Sequence, residues 1–107
     1  MAVYAYLRVS TDQQDVDNQR HGILDYCNTH QLSNVHFIED TVSGRKKWRQ
    51  RKIGDLIGAT MQQGDTLVVS EISRMARSTL QVLEMLEVAA ERVFAVHVVK
   101  QNMVFAE

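Results

Sequence analysis

The sequence predicts an α/β domain of three layers, in which helices cover both faces of a central, mostly parallel sheet of four strands. Four short runs rich in apolar and β-branched residues, at 2–9, 35–38, 66–70 and 93–99, have the composition of buried strands. Helical segments separate these runs in the order βαβαβαβ, which is typical of a parallel sheet. The chain has 107 residues, 45% of them hydrophobic, and is therefore long enough to bury one core.

The first strand and the helix after it are the clearest elements. Residues 2–9 read AVYAYLRV, a nearly continuous apolar run that favours a strand buried on both faces. Thr11 and Gln14 have the spacing of a capping box, so we expect a helix to begin near Asp12 and to end near His30. The apolar residues of this helix recur on one face, which would lie against the sheet.

The second half of the chain alternates polar loops with apolar elements. Residues 39–51 contain few large apolar side chains apart from Trp48, so we expect a poorly packed loop there. Helical spacing follows in four apolar residues, Ile53, Leu56, Ile57 and Met61. Ser78 and Gln81 form a second capping box ahead of the last helix, and the tail at 100–107 has no assignable pattern.

The composition bounds the class of protein. The formal net charge is −1, and no apolar run approaches the length of about 20 residues that a membrane span needs. The single cysteine cannot form an internal disulfide, no Cys/His cluster has the spacing of a zinc site, and we expect a reduced, cytoplasmic protein. Half of the 12 lysines and arginines lie within residues 45–52, which indicates a local anionic partner, although a solvated charged segment explains the same run.

Two polar segments follow the first and third strands. Strand alternation places Arg8 and Ser10 on the same side, with Ser10 just before a helix N-terminus, where anions are favoured. Arg74 and Arg77 are three residues apart and share one face of a helical turn. If the two strands are neighbours, a hydroxyl group lies among three guanidinium groups, which suits covalent chemistry on a phosphate ester.

A purely structural interpretation of the same residues stays open. Arg8 would pair with Asp65 or Glu71, and Ser10 would only cap the helix. No histidine or pair of acids is obviously placed to deprotonate the serine, so the residues alone identify no general base.

Three ordered motifs resemble the serine recombinases, the group that contains the resolvases and DNA invertases. The first motif is YLRVSTDQQ at 6–14, continuing to DNQ at 17–19. The second is DTVSG at 40–44, followed by a basic stretch. The third is GDTLVV at 64–69, which runs into SRMARS at 73–78. Because the three motifs keep their order and intervals over most of the chain, the resemblance is specific.

The resemblance implies a resolvase-like catalytic domain that performs site-specific DNA recombination. Ser10 would be the nucleophile that cleaves a DNA strand and forms a 5′-phosphoserine intermediate. Arg8, Arg74 and Arg77 would form a clamp around the scissile phosphate. The bond energy is kept in the new ester, so religation would need no cofactor, no ATP and no metal.

The resemblance also implies further residues near the DNA. Gln14 and Gln19 match polar residues close to the active site, and Asp40 matches an acid near it. The family has one more arginine in the loop after the second strand; Arg49 and Arg51 both compete for that place, and Arg51 is favoured.

Two departures from the family pattern affect what this chain is expected to do. Ser73 stands where many members have an aspartate that is a candidate proton donor, so the general acid is left open. The long dimerisation helix and the C-terminal DNA-binding module are not visible after Glu107, so residues 1–107 would be an excised catalytic domain or a truncated product. Members bind DNA as homodimers and form a tetramer in the active synaptic complex.

Two other functions remain alternatives. A catalytically inactive, truncated recombinase would act as a regulatory module that binds DNA or a partner chain. A small phosphate-binding or nucleotide-binding domain of similar architecture is the third possibility, and the lack of a glycine-rich phosphate loop counts against it.

Overall fold

A central sheet of five strands organises the chain, for which a computed structural model describes residues 2–9, 13–41, 47–76 and 78–106. The strands are β1 (Val3–Arg8), β2 (Val35–Asp40), β3 (Thr66–Val69), β4 (Ala95–Val98) and β5 (Met103–Phe105). Their order in the sheet is β2-β1-β3-β4-β5, with β1 to β4 parallel and β5 antiparallel to β4. This confirms the predicted α/β class with a mostly parallel sheet.

The sheet has one strand more than the four that the sequence predicts. The additional strand, β5, lies in the tail for which no element was assigned. A tight turn brings it back along β4: the amide of Asn102 donates to the carbonyl of Val99 at 3.1 Å, and Asn102 has a φ of 52°, a conformation that asparagine tolerates. Three residues are too few to show a strand period, so the pattern missed it.

Helices cover both faces of the sheet and complete the three layers. They are α1 (Gln13–Thr29), α2 (Lys52–Asp55), which continues as a π-helical turn (Leu56–Thr60), and α3 (Thr79–Arg92). On one face α1 packs on β1 and β3 through four buried side chains, Val16, Ile23, Tyr26 and Cys27. On the other face α2 and α3 form the larger core with Tyr6 and the apolar residues of β3 and β4. None of the helices in the described part of the chain is long and apolar enough to cross a membrane.

The ends of α3 differ from their predicted form. The side chain of Ser78 makes no capping hydrogen bond, so the second predicted capping box is wrong; Gln81 instead accepts a hydrogen bond from the amide of Trp48 at 3.2 Å. At the other end Val93 takes a left-handed conformation and terminates the helix, so β4 begins at Ala95, two residues later than predicted. Thr11 of the first predicted capping box lies outside the described residues.

The segment before α2 is packed, contrary to the expectation of a loose loop. The side chains of Trp48 and Arg51 are each only 2% exposed, and Trp48 belongs to the core between the sheet, α2 and α3. A 3₁₀ turn (Trp48–Gln50) turns the indole inward and lies close against Gly54. In addition β2 extends two residues further than predicted, to Asp40. Residues 42–46 are outside the described part of the chain.

Candidate functional site

The candidate site lies at the carboxyl edge of the parallel strands. Arg8, the last residue of β1, stands opposite Asp40, the last residue of β2, and the amide of Val9 donates to the carbonyl of Asp40 at 2.8 Å. Next to β1 on its other side, β3 ends at Val69 and leads into a 3₁₀ turn (Ile72–Arg74). Ligands of open parallel sheets collect at this edge, outside the ends of the strands.

The segments after β1 and β3 meet, as their adjacency in the sheet predicted. Arg8 donates from Nη2 to the carbonyl of Ser73 at 3.0 Å. The Arg74 guanidinium is at the same edge, with Nη2 2.8 Å from Asp15 Oδ1 and Nε 3.4 Å from Glu71 Oε1. Ser10 and Arg77, the other two members of the predicted cluster, lie outside the described residues.

Asp65, one of the two acids with which Arg8 was expected to pair in the purely structural interpretation, lies far from Arg8. The Asp65 carboxylate lies at the start of β1, where it accepts hydrogen bonds from the amides of Ala2 and Gln62, each at 2.9 Å. Burial by itself would raise the pKa of Asp65, but these two hydrogen bonds and the nearby N-terminal charge lower it below its usual value. Asp65 therefore holds the amino end of the sheet, away from the candidate site.

Glu71 is the centre of a small charged group beside Arg74. Its Oε2 lies 3.1 Å from Lys100 Nζ, and its Oε1 accepts a hydrogen bond from Ser73 Oγ at 3.0 Å. The hydrogen bond from Lys100 is the main cause that lowers the pKa of Glu71, with the Ser73 hydroxyl and the Arg74 charge acting in the same direction. The carboxylate is therefore ionised at neutral pH.

Gln19, predicted to lie near DNA, is placed inside the protein, whereas Gln14 is exposed in the first turn of α1. Only 5% of Gln19 is exposed. Its Nε2 donates to the backbone carbonyl of Arg8 at 3.3 Å and to Asp15 Oδ2 at 3.0 Å. Gln19 thus connects α1 to the end of β1, and Asp15 continues the connection to Arg74. Sequence reasoning missed Asp15, although its spacing of four residues from Gln19 allows the two side chains to meet on a helix.

Asp40 is buried and ties the start of α2 to the sheet. Its Oδ2 accepts hydrogen bonds from Tyr6 Oη at 2.8 Å and from the amide of Lys52 at 3.0 Å. Burial, followed by the hydrogen bond to Asp40, raises the pKa of Tyr6 far above its usual value, so the phenol remains a proton donor. Tyr6 was not among the predicted site residues, although strand alternation places it on the same side as Arg8.

The two arginines that competed for one role occupy different environments. Arg51 is buried and donates from Nη2 to the carbonyl of Met75, the residue after Arg74. Its Nε and Nη1 are also buried and have no hydrogen-bond partner in the part of the chain that the structure describes. Arg49 is exposed, and its guanidinium lies 4.4 Å from the centroid of the Trp48 ring. Of the two, Arg51 is the one beside the turn that carries Arg74.

The arrangement places fixed guanidinium groups at one edge of the sheet, and that of Arg74 is also paired with Asp15 and Glu71. Guanidinium groups form rigid forks that match the oxygens of a phosphate ester, and they stabilise charge that develops on those oxygens. Within the described residues, no group of three or more His, Cys, Asp or Glu is placed to hold a metal ion.

Two solved structures with the same fold are described as catalytic domains, one of an integrase and one of a serine recombinase. The N-terminal catalytic domain of TP901-1 integrase superimposes with a TM-score of 0.76 and 21% sequence identity, over 97% of this chain and 81% of that one. The C-terminal catalytic domain of ISC1926 TnpA, described as an IS607-like serine recombinase, gives a TM-score of 0.71 and 21% identity, over 94% of this chain and 70% of that one. These similarities confirm the fold.

Curated relatives and a family model identify the family. The chain is 30% identical over 95 residues to the transposon Tn2501 resolvase of Escherichia coli, which covers 89% of this chain and 48% of the relative. It is 28% identical over 82 residues to a resolvase of Clostridium perfringens, covering 77% of this chain and 40% of the relative. The chain thus spans less than half the length of these relatives. The model of the resolvase N-terminal domain matches residues 3–107. This chain therefore belongs to the resolvase N-terminal domain family.

Proposed function

We propose that this chain is the catalytic domain of a site-specific DNA recombinase of the resolvase or invertase type. The observation that carries the proposal is the meeting of Arg8 and Arg74 at the carboxyl edge of the sheet, where the Arg8 guanidinium reaches the carbonyl of Ser73. Ser10 follows Arg8 by two residues in the sequence. A nucleophile and two fixed cations from neighbouring strands are the parts that a phosphoryl transfer needs.

The proposed reaction is an exchange of phosphate esters. The Ser10 hydroxyl attacks a DNA phosphorus and loses its proton, a bond forms between Oγ and phosphorus, and the bond from phosphorus to the 3′ oxygen breaks. The 3′ oxygen takes up a proton and leaves as a hydroxyl, while the 5′ phosphate stays on the serine. Religation is the reverse reaction with a 3′ hydroxyl as the nucleophile, so the chemistry consumes no ATP, and the arginines supply the positive charge on the phosphate.

Each arginine has a separate part in this proposal. Arg8 and Arg74, together with Arg77, bind the equatorial oxygens of the scissile phosphate. Arg51 adds a fourth positive charge from the segment before α2, which its contact with the Met75 carbonyl supports. Arg49 is exposed and binds the DNA backbone further out.

The charged group around Glu71 constrains the acid–base chemistry. An acid that protonates the leaving 3′ oxygen must carry a proton at neutral pH, but the hydrogen bond from Lys100 lowers the pKa of Glu71. Glu71 therefore does not take over the role of proton donor from the aspartate that many members have in the place of Ser73. We assign Glu71 to holding Arg74 and Lys100, and Gln14, Gln19 and Asp40 to the surroundings of the phosphate site.

The whole reaction requires partners beyond one chain. We propose that the domain binds DNA as part of a homodimer and that two dimers form the tetramer in which strands are exchanged. The domain is proposed to comprise residues 1–107, and selection of a recombination site would depend on contacts with base edges that phosphate-binding arginines do not provide.

The test is covalent capture on a pool of nicked duplexes with randomised sequence, in which the nick lets the cleaved fragment diffuse away. We expect a DNA adduct on the unaltered chain, located at Ser10 by mass spectrometry, and no adduct with Ser10→Ala. The matched control is Ser33→Ala, which removes the same hydroxyl from the exposed connection between α1 and β2 and should leave adduct formation unchanged. DNA binding without any adduct would refute the proposal in favour of a regulatory module.

A further inference from the structure

A closed path of contacts joins Arg8 and Arg74. The Arg8 guanidinium reaches the Ser73 carbonyl at 3.0 Å, and Ser73 precedes Arg74 in the chain. The backbone carbonyl of Arg8 accepts a hydrogen bond from Gln19, which also binds Asp15, and Asp15 closes the path to the Arg74 guanidinium at 2.8 Å. This path combines α1, the end of β1 and the turn after β3.

The Asp15 carboxylate is held in place by a second contact, in addition to its contact with Arg74. Its Oδ2 accepts the hydrogen bond from Gln19, a side chain that is 5% exposed and anchored to the end of β1, so only Oδ1 faces Arg74. The side chains of Asp15 and Arg74 are 30% and 21% exposed, which places the pair at the rim of the site rather than in open solvent. A hydrogen bond between two ionised groups that are partly shielded from water is stronger and more directional than one between neutral groups.

A long arginine side chain needs such a partner if its direction is to be defined. An unrestrained arginine samples many rotamers, and fixing it costs side-chain entropy that its contacts must offset. Asp15 engages Nη2 and Glu71 lies against Nε, so these carboxylates occupy one side of the guanidinium. Nε is buried and makes no hydrogen bond within the described residues, so the bond from Nη2 to Asp15 is the one side-chain hydrogen bond that orients Arg74 there.

We propose that Asp15 is a positioning residue for Arg74: supported by Gln19, it fixes the direction of the guanidinium so that the phosphate meets a preorganised cation. This inference rests on the proposed function, because it assigns Arg74 to the phosphate. It predicts that removing the carboxylate slows the chemical step, since misplacement of a reacting or stabilising group by about 1 Å costs up to 100-fold in rate.

The direct test is the NMR signal of the Arg74 guanidinium in the full chain, assigned with an Arg74→Lys variant. In the unaltered protein, slow rotation about the Nε–Cζ bond should give separate Nη resonances for Arg74. Asp15→Ala should merge them, while Asp15→Asn keeps an acceptor oxygen and should preserve them. The matched control is Asp25→Ala, which removes an exposed carboxylate of the same helix that pairs with His21. Unchanged Arg74 resonances in Asp15→Ala would overturn the inference.

The functional test is the rate constant of adduct formation on the nicked duplex pool under single-turnover conditions. We expect Asp15→Ala to lower it by about 10-fold, Asp15→Asn to recover most of the loss, and Asp25→Ala to have no effect. A rate for Asp15→Ala equal to or above that of the unaltered chain would refute positioning, because the carboxylate would then only compete with the phosphate. If the unaltered chain forms no adduct, the proposed function fails, and the guanidinium resonances alone decide the role of Asp15.

Discussion

Replacing Tyr6 by phenylalanine isolates one buried hydrogen bond at the base of the site. Tyr6 Oη donates to Asp40 Oδ2 at 2.8 Å, and both residues are almost completely buried. The variant removes only the hydroxyl and leaves a buried carboxylate with one donor fewer. A hydrogen bond to a charged group contributes about 1.5–3 kcal/mol, so we expect Tyr6→Phe to lower the free energy of unfolding by about 2 kcal/mol. For a domain of this size, that corresponds to a decrease in Tm of roughly 8 °C.

The assay is urea unfolding followed by the fluorescence of Trp48, the single tryptophan, whose side chain is buried and becomes exposed on unfolding. Tyr4→Phe is the matched control, because Tyr4 lies on the same strand and its hydroxyl makes no hydrogen bond with the described residues. The midpoint should fall for Tyr6→Phe with an unchanged m-value. A loss below about 0.5 kcal/mol, similar to that of the control, would show that Asp40 does not depend on Tyr6.

Two further perturbations test the packing of the chain. Gly54→Ala should destabilise the protein by about 2 kcal/mol, because a Cβ there would lie 2.5 Å from the Trp48 carbonyl oxygen. Gly58→Ala is the control, since a Cβ at Gly58 meets nothing within 4 Å, and equal urea midpoints for the two variants would contradict the prediction. Burial, reinforced by a neighbouring histidine, lowers the pKa of His97 in the folded protein. The neutral imidazole therefore stabilises the fold fully above pH 6.5, the usual pKa of histidine, and this stabilisation is lost as the pH falls through the lower pKa of the folded state. Urea unfolding should therefore show stability falling below about pH 6.5, less steeply in His97→Asn but as steeply in the exposed-residue control His36→Asn.

The parts of the fold that were predicted correctly are those in which local pattern and tertiary environment agree. The apolar run that became β1 is buried on both faces, as a central parallel strand requires. Helix α1 has a continuous period and runs from Gln13 to Thr29, within a residue of both predicted ends. These elements depend on the burial of their own side chains, which the sequence displays directly.

The segment before α2 shows why the rest was not predictable. A basic run with one tryptophan has no period, and nothing local shows that the indole of Trp48 fills a space between α2 and α3. The burial of Arg51 is equally a tertiary effect, since its partner is a carbonyl group 24 positions away in the chain. Such contacts depend on where two distant segments meet, which pattern analysis does not encode.

In the candidate site, too, the part set by strand order was predicted and the part set by single side-chain contacts was not. Arg8 and Arg74 were expected to meet because β1 and β3 were expected to be neighbours, and that adjacency is confirmed. The residues that hold them, Asp15 and Gln19, were missed or given another role because their contacts are made by single side chains rather than by a repeated pattern. Topology can therefore be deduced from a sequence more readily than the support of a site.

The acidic residues show how a chain with a net charge of −1 can gather arginines at the proposed phosphate site. Asp15 and Glu71 contact Arg74, and Asp40 binds the amide after Arg51, so the segments that carry these two arginines are held to the fold by carboxylates. Without these acids, several guanidinium groups at one edge would repel one another, and the folded state would be destabilised. Three of the 13 acidic residues, Asp15, Asp40 and Glu71, thus hold the segments that carry Arg51 and Arg74. Net charge is a poor guide to nucleic-acid binding in such a protein, and the local placement of opposite charges is the informative quantity.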